Sequence, residues 1–514
     1  MARKNKQRQG HIAPGEEGQP AKFVGNGRAS WVDDFKPEEI VEHLGLWWKS
    51  GTGNSFVLGS QERGWAVWPE QGVTDKLRNE YCIRIKADRE GERLSEVKRV
   101  YLWARENRCL DEIFPALPGY RSGVYRLESG ERVLVKTSPQ LIEPVKGEWK
   151  VIEALIRGQL DRSAEKDVDQ TPYFLSWLKV ALEALIGGEP GQWRQGHAMI
   201  IAGPAGGGKS RLQENIITPL LGGREANPKK FLFGQDDFNG DVFSAEHLSL
   251  AEVPSSQKTV DRVELAETIK QIVANAAHRM RLMRVEPWTV YPYWRLSITL
   301  NDDPDKLRSL PLVTKDFGGK VIILHSKKSD LPMPTRTEPE RRAFRDQIKA
   351  ELPAFAHFLL HEYEIPQELL TYPDGGDATR FGFREFHHPI IKDGLFDDSP
   401  AAELLQLIDM AEIYDSTMRL KIWDLDSGRY GVPGKLWHGK AQELHNLLTG
   451  EADGWKSSVE SMAKALFKHN NCATLLGRLN GTDGIGSGVR IAKGDTEHWK
   501  GWVISKPAHS SDGA

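Results

Sequence analysis

Residues 203–210 read GPAGGGKS, and no other stretch constrains the fold of this chain as tightly. The octapeptide matches GxxxxGK[ST], with Gly203, Gly208, Lys209 and Ser210 at the defining positions. Glycines let successive backbone N–H groups wrap a phosphate without Cβ clashes, and the N-terminus of a following helix favours an anion. The flanks are those such a loop needs. HAMIIA before it is a short continuous apolar run, as expected of a buried parallel strand, and SRLQENIITPLL after it has a helical pattern. A glycine-rich turn that binds nothing requires neither. Gly203, Pro204, Ala205, Gly206, Gly207, Gly208, Lys209, Ser210 and Arg211 therefore form the expected nucleotide cradle. Lys209 would neutralise the β- and γ-phosphates of ATP, and the Ser210 hydroxyl would hold Mg²⁺.

A P-loop sits in an α/β core, and the pattern around it agrees. Strand-like runs HLSLAE, YWRLSITLN and KVIILH follow, with the helical VELAETIKQIVANAA between the first two. Alternation of this kind indicates a parallel sheet flanked by helices. At roughly 150 residues per domain, 514 residues suggest about three domains. We expect a basic disordered tail over 1–30 and an α+β docking or assembly domain over 31–160. An ATPase core over 161–370, a Gly-, Pro- and Asp-rich linker over 371–400 and a last domain over 401–514 follow. The N-terminal domain holds strand-like SFVLG, WAVW, GVYRL and RVLVK, the last two joined as a hairpin. The stretch SEVKRVYLWARENRCLDEIF reads as helix. In 401–514, helices are followed by GVRIAKG and WKGWVIS as a β-hairpin, the outline of a winged helix.

Two positions downstream of the P-loop carry matching chemistry. HLSLAEV ends its apolar run at Ala251 and Glu252, where two acids commonly stand, one near Mg²⁺ and one polarising water. Glu252 is then the sole acid at this strand end, or the mark of slowed hydrolysis, and Asp241 and Glu246 are the candidates to compensate. The strand YWRLSITLN ends in Asn301, followed by Asp302, Asp303 and Pro304. An amide at the C-terminal edge of such a strand suits contact with the γ-phosphate or the attacking water. An Asn before DDP, taken alone, also reads as a turn residue.

P-loop, acidic strand and Asn-terminated strand, in that order within about 100 residues, resemble the superfamily 3 helicases. More narrowly, they are similar to the helicase part of phage, plasmid and poxvirus-type primase–helicases. The stretch FPALPGYRSGVYRLESGERVLVKTSPQLIEP is similar to the region ahead of the core in phage members. The resemblance implies an AAA+-like P-loop NTPase core and a ring, usually a hexamer. It also implies single-stranded DNA in the pore, ATP at subunit interfaces and a DNA-contacting hairpin just before the sensor strand.

Here that position is HRMRLMRVEPWTVYPYWR, where Arg279, Arg281, Arg284 and Arg295 interleave with Trp288, Tyr291, Tyr293 and Trp294. Cations track phosphates while aromatic faces stack on bases, so Arg279, Arg281, Arg284 and Trp288 are the expected nucleic-acid contacts. The other reading is a buried aromatic hairpin with Arg reaching outward. The family also places a basic residue after the sensor to reach a neighbour's ATP. Lys320 is the nearest match, a lysine rather than an arginine, with Arg308 as its rival.

Composition excludes other classes. The three cysteines, Cys82, Cys109 and Cys472, lie far apart without CxxC, so a disulfide framework or cysteine-rich zinc site is not expected. No run of 18 apolar residues or secretory leader occurs, and the expectation is a soluble protein of the cytoplasm, a bacterial host's if phage-encoded. Net charge is −3, so any nucleic-acid surface must be local. Lys456, Lys464, Lys468, Arg478, Arg490, Lys493, Lys500 and Lys506 make the last domain a candidate for duplex DNA. His357 and His361 lie four apart on a helix, but Phe358 stands where a metalloprotease has Glu, and a metal there is not expected. The sum is an ATP- and Mg²⁺-dependent helicase motor with a separate primase as possible partner. The alternatives are a nucleotide-switched DNA-binding assembly factor and a P-loop ATPase acting on protein partners.

Overall fold

The computed structural model describes residues 36–507 except 52–54, 82, 84–93, 128–129, 161–167, 187–192, 237, 254–258, 284–285, 308, 312, 398–399, 416–423, 426–433, 481–488 and 497–498. Arg284, Arg308 and the basic tail thus lie outside the described residues.

At the centre is a six-stranded sheet in the order 386–387, 321–325, 198–203, 295–301, 247–251, 225–226. Every neighbouring pair runs parallel. Strands 198–203 and 321–325 show why the sequence demands this. Ala198, Ile200 and Ala202 pack into one hydrophobic cluster, while Met199 and Ile201 pack into the other. Leu296, Ile298 and Leu300 join the first cluster, as do Val321 and Ile323, whereas Ile322 and Leu324 join the second. Strands apolar on both faces need cover on both, and helices supply it. Thr171–Ile186, buried nearly all round, covers one face, and Thr259–Ala274 the other. The helix Glu338–His357 opens with a full capping box, Thr337 to Glu340, as its sequence TEPE specifies.

The predicted strands before the core are present at Ser55–Ser60, Gly64–Pro69, Gly123–Arg126 and Arg132–Val135, the last two antiparallel around Gly130. The expected long helix stops at Asn107. Cys109–Leu110 and Glu112–Phe114 are short strands instead, because their side chains are needed in two small sheets. Packing also divides the chain differently from composition. Most buried apolar residues over 40–104 share one cluster, Trp47 and Val57 pack with Leu110, Val124 and Leu134 in a small second one, and Phe114, Leu117, Tyr125, Val133 and Val135 belong to the core's. Helix Lys150–Leu160 packs into the core's other cluster.

The stretch 371–400, expected to be a linker, carries the sixth strand, Phe386–His387, and a helix, Pro389–Asp397. Its glycines and prolines mask Phe381, Phe383, Ile391 and Leu395, all buried in the core. After it, helices Pro400–Met410, Ala441–Leu448, Glu460–Phe467 and Cys472–Leu479 share a separate cluster with a four-stranded antiparallel sheet. The predicted hairpin is there, Arg490–Thr496 with Trp499–Pro507, and a further strand, Gly434–Gly439, pairs with its second arm.

Candidate nucleotide site and nucleic-acid surface

The strand Ala198–Gly203 delivers the glycine loop to the C-terminal edge of the sheet, and a helix begins at Lys209. Two glycines show why the loop is glycine. A Cβ on Gly203 would stand 2.1 Å from the Ser326 carbonyl oxygen. Gly208 takes φ 90°, and a Cβ there would meet the Gln159 amide nitrogen at 3.0 Å. Gln159 is fully buried, its Nε2 has no partner among the described residues, and its Oε1 accepts from Ser326 Oγ at 3.3 Å. This glutamine comes from the helix Lys150–Leu160, before the core as the sequence marks it, so nothing local pointed to it.

Lys209 is 7% exposed, and its Nζ donates to the carbonyls of Gly203 (2.7 Å) and Pro204 (2.8 Å) and to Asn301 Oδ1 (3.3 Å). Burial pulls its pKa below the usual lysine value, and the nearby Asp302, Asp303 and Glu252 carboxylates pull the other way. The ammonium is therefore held over the loop with three acids nearby.

The register explains why Asn301 and Glu252 converge there. Asn301 pairs with Gly203 and Ala251 with Thr299, so three adjacent strands end at one edge of the sheet, the acidic one two residues short of Asn301. Glu252 follows directly, its N–H donating to the Thr299 carbonyl at 2.9 Å. Glu252 has φ 68°, the one non-glycine in the left-handed region among the described residues. Such a conformation costs on the order of 1–3 kcal/mol and collects at functional sites. Ser210 is exposed at the mouth of the loop and Arg211 is half-buried beside it.

The two candidates for a compensating acid are elsewhere. Glu246 lies at the opposite end of its strand, fully buried against Arg224, whose Nε donates to Oε2 at 2.7 Å. It also accepts from the Gly119 N–H at 2.9 Å, so it anchors the segment ahead of the core. Asp241 is exposed in the turn before that strand. Lys320 likewise opens its strand, its N-terminal neighbour position marked by the bond from Ala198 N–H to Lys320 O (3.0 Å). Five residues at about 3.3 Å each separate it from the sheet edge that carries its own P-loop. Its ammonium lies 5.9 Å from the Phe381 ring.

Among the described residues no group of three or more His, Cys, Asp or Glu is placed to hold a metal ion. The His357 and His361 rings lie 4.8 Å apart, tilted at 53°, with Glu362 beside His357. The donors around the P-loop are a hydroxyl and separate carboxylates. That set suits a hard cation taking most of its ligands from phosphates and water.

The hairpin exists as His278–Met280 paired with Trp288–Val290. Arg279 and Arg281 are exposed, but the aromatics are committed to packing. Trp288 is half-buried, edge-on to Phe114 at 5.3 Å. Tyr293, Trp294 and Arg295 are each 2% exposed. Arg295 has no carboxylate partner among the described residues, and burial with Arg194 nearby drives its pKa down to about 9. The loop before the acidic strand clasps the hairpin. Asn239 accepts from the Arg281 N–H at 2.7 Å and donates from Nδ2 to the Arg279 carbonyl at 3.2 Å. Its neighbour Phe238 is 51% exposed and Met283 65%, so the exposed ring of this surface is one that sequence reasoning missed. A lone Phe in GQDDFNGD carries no local signal; what marks it is the clasp of its neighbour Asn239 on the hairpin.

No family model and no curated protein matches the chain. Among solved structures, it is similar to the apo form of the NrS-1 C-terminal region, with TM-score 0.46 and 12% identity over 72% of this chain and 78% of that one. It is also similar to the SCCmec type IV Cch active helicase, at TM-score 0.29 and 10% identity over 61% of this chain and 60% of that one. A third similar structure is the JCV helicase, at TM-score 0.21 and 11% identity over 41% of this chain and 58% of that one.

Proposed function

We propose that the chain is an ATP- and Mg²⁺-dependent motor on single-stranded DNA, a helicase or translocase of the superfamily 3 type that works as a ring. One observation carries the reading: Lys209 is buried at the edge where three adjacent parallel strands end, bonded to Asn301 and with the Glu252 carboxylate nearby. ATP phosphates would sit in the Gly203–Arg211 cradle, displacing the two loop carbonyls from Lys209. Asn301, already on Lys209, is placed to meet the γ-phosphate, and Glu252 to orient water and draw off its proton. Mg²⁺, held by Ser210 and a carboxylate, would neutralise charge on the transferred phosphoryl group.

The strand order supports an AAA+-like core. In chain order the first five strands lie 5-1-4-3-2, with the P-loop strand flanked by the fifth and the sensor strand. Lys320, at the far end of the fifth, serves ATP only if another subunit presents it, which is why the ring belongs to the proposal. Arg279, Arg281 and the exposed Phe238 would grip the strand, with the C-terminal unit, read as a winged helix, as a second DNA contact. A separate primase remains the expected partner for a replication role. The second reading, a nucleotide-switched DNA-binding assembly factor, rests on Ala251, which leaves the acidic strand with one carboxylate. Steady-state hydrolysis with and without single-stranded DNA separates them: the motor turns over and is stimulated, while the switch binds nucleotide without turnover.

A further inference from the structure

The site is short of one carboxylate where its neighbours in the sheet are well furnished. The acidic strand ends Ala251–Glu252, while the adjacent sensor strand ends Asn301–Asp302–Asp303. Asp302 is fixed from two directions. Its N–H donates to the Gly203 carbonyl at 3.1 Å, which ties it to the root of the P-loop. Its Oδ2 lies 3.1 Å from His325 Nε2, across the end of the P-loop strand.

His325 is itself held in place. Gln170 accepts from the His325 N–H at 2.7 Å and donates to its carbonyl at 2.9 Å. A carboxylate needs two such constraints to be pre-positioned, and here one oxygen is used for orientation while Oδ1 has no partner among the described residues. Of the carboxylates near Lys209, Asp302 acts on it most strongly. A second, independent sign of a missing ligand lies on the other side of the loop, where the fully buried Gln159 leaves Nε2 unpartnered against Gly208.

We propose that Asp302, oriented by His325, supplies the carboxylate that Ala251 lacks and helps Ser210 hold Mg²⁺ against the bound ATP. The site is thereby complete, with its second acid moved one strand over. This rests on the nucleotide-site reading above.

The test is a relocation experiment on the full chain. Asp302→Asn, Ala251→Asp, the double variant and His325→Gln are titrated with a fluorescent ADP analogue, in Mg²⁺ and in EDTA, and assayed for ATP hydrolysis. Asp302→Asn should weaken the Mg²⁺-dependent part of the affinity by about 10- to 100-fold and leave the EDTA value unchanged. Ala251→Asp in that background should restore at least tenfold of the loss. Unchanged Mg²⁺ dependence in Asp302→Asn overturns the proposal. So does a double variant that stays inactive while His325→Gln reproduces the whole loss, because the pair would then be a structural tie. Should Asp302→Asn not fold, Ala251→Asp alone decides: unchanged Mg²⁺-dependent binding supports a second acid already in place, and binding at least tenfold tighter overturns the proposal, because the position would then be vacant. Failure of the underlying reading looks different, since Lys209→Ala would then bind nucleotide as the parent does.

Discussion

At the residue scale, Glu252 gives the sharpest conflict between stability and use. Its left-handed backbone is a conformation that glycine adopts freely. Glu252→Gly should therefore raise stability by about 1 kcal/mol in denaturant melts while removing hydrolysis. Loss of stability in that variant would show that the carboxylate, not the backbone, holds the turn. Sequence made Lys209, Ser210 and the P-loop glycines legible because a phosphate loop needs those residue types consecutively. Gln159 and Asp302 were not legible as site residues, because each reaches the loop from another element through tertiary packing. Arg295 was misleading for a related reason. It sits among aromatics at the hairpin's foot in sequence, yet its guanidinium is 2% exposed.

At the scale of elements, a buried polar belt joins the helix behind the P-loop to the strands that carry Glu252 and Asn301. After Lys209–Leu212 the helix widens into a π turn, Gln213–Ile217. Gln213 Nε2 donates to Ser297 Oγ at 2.7 Å, and Thr299 Oγ1 donates to Gln213 Oε1 at 3.1 Å. His247 bridges Ser297 Oγ (2.8 Å) and Thr218 Oγ1 (2.6 Å). Full burial lowers the His247 pKa from 6.5 to about 3, so the ring is neutral in the folded protein and charged in the unfolded chain between those values. The unfolded state then binds the extra proton, and stability falls as pH drops from 6.5 towards 3, by about 1.4 kcal/mol per pH unit. His247→Gln should flatten the stability–pH slope by that amount; an unchanged slope would contradict it. The hairpin was legible as an element, while its exposed face was not. Alternating Arg and aromatic letters suggested stacking on bases, but Trp288 leans on Phe114 and Tyr293 and Trp294 fill the core. What remains outside is Arg279, Arg281 and the unforeseen Phe238. Arg281→Ala should weaken single-strand binding and reduce the salt slope by about 0.7, and Phe238→Ala should weaken it with the slope unchanged. Equal affinity across a salt series would count against the surface.

At the scale of the whole molecule, a buried ion pair in the core reinforces the packing that ties it to what precedes it. Glu246 is held by Arg224, and Arg224 also donates to the Thr137 (3.2 Å) and Leu117 (3.1 Å) carbonyls. Burial raises the Glu246 pKa, and the Arg224 charge offsets this. Removing one partner strands a buried charge, so Arg224→Ala should cost about 3–5 kcal/mol and loosen residues 115–138 in hydrogen exchange. An effect under 1 kcal/mol would mean that this junction does not hold the segment. Composition could not place the junction, since the hairpin and the helix Lys150–Leu160 carry no sign in their own letters that they complete the core's clusters. Nor could it see the sixth strand inside a Gly- and Pro-rich stretch. No helix of the described residues is long and apolar enough to cross a membrane. The central claim is that the Lys209 site drives a motor on single-stranded DNA. The most direct measurement is steady-state ATP hydrolysis by the full chain, with and without single-stranded DNA, beside Lys209→Ala. The account predicts Mg²⁺-dependent turnover that DNA raises and the variant loses. Turnover unchanged in Lys209→Ala, or indifferent to DNA in the parent, would contradict it.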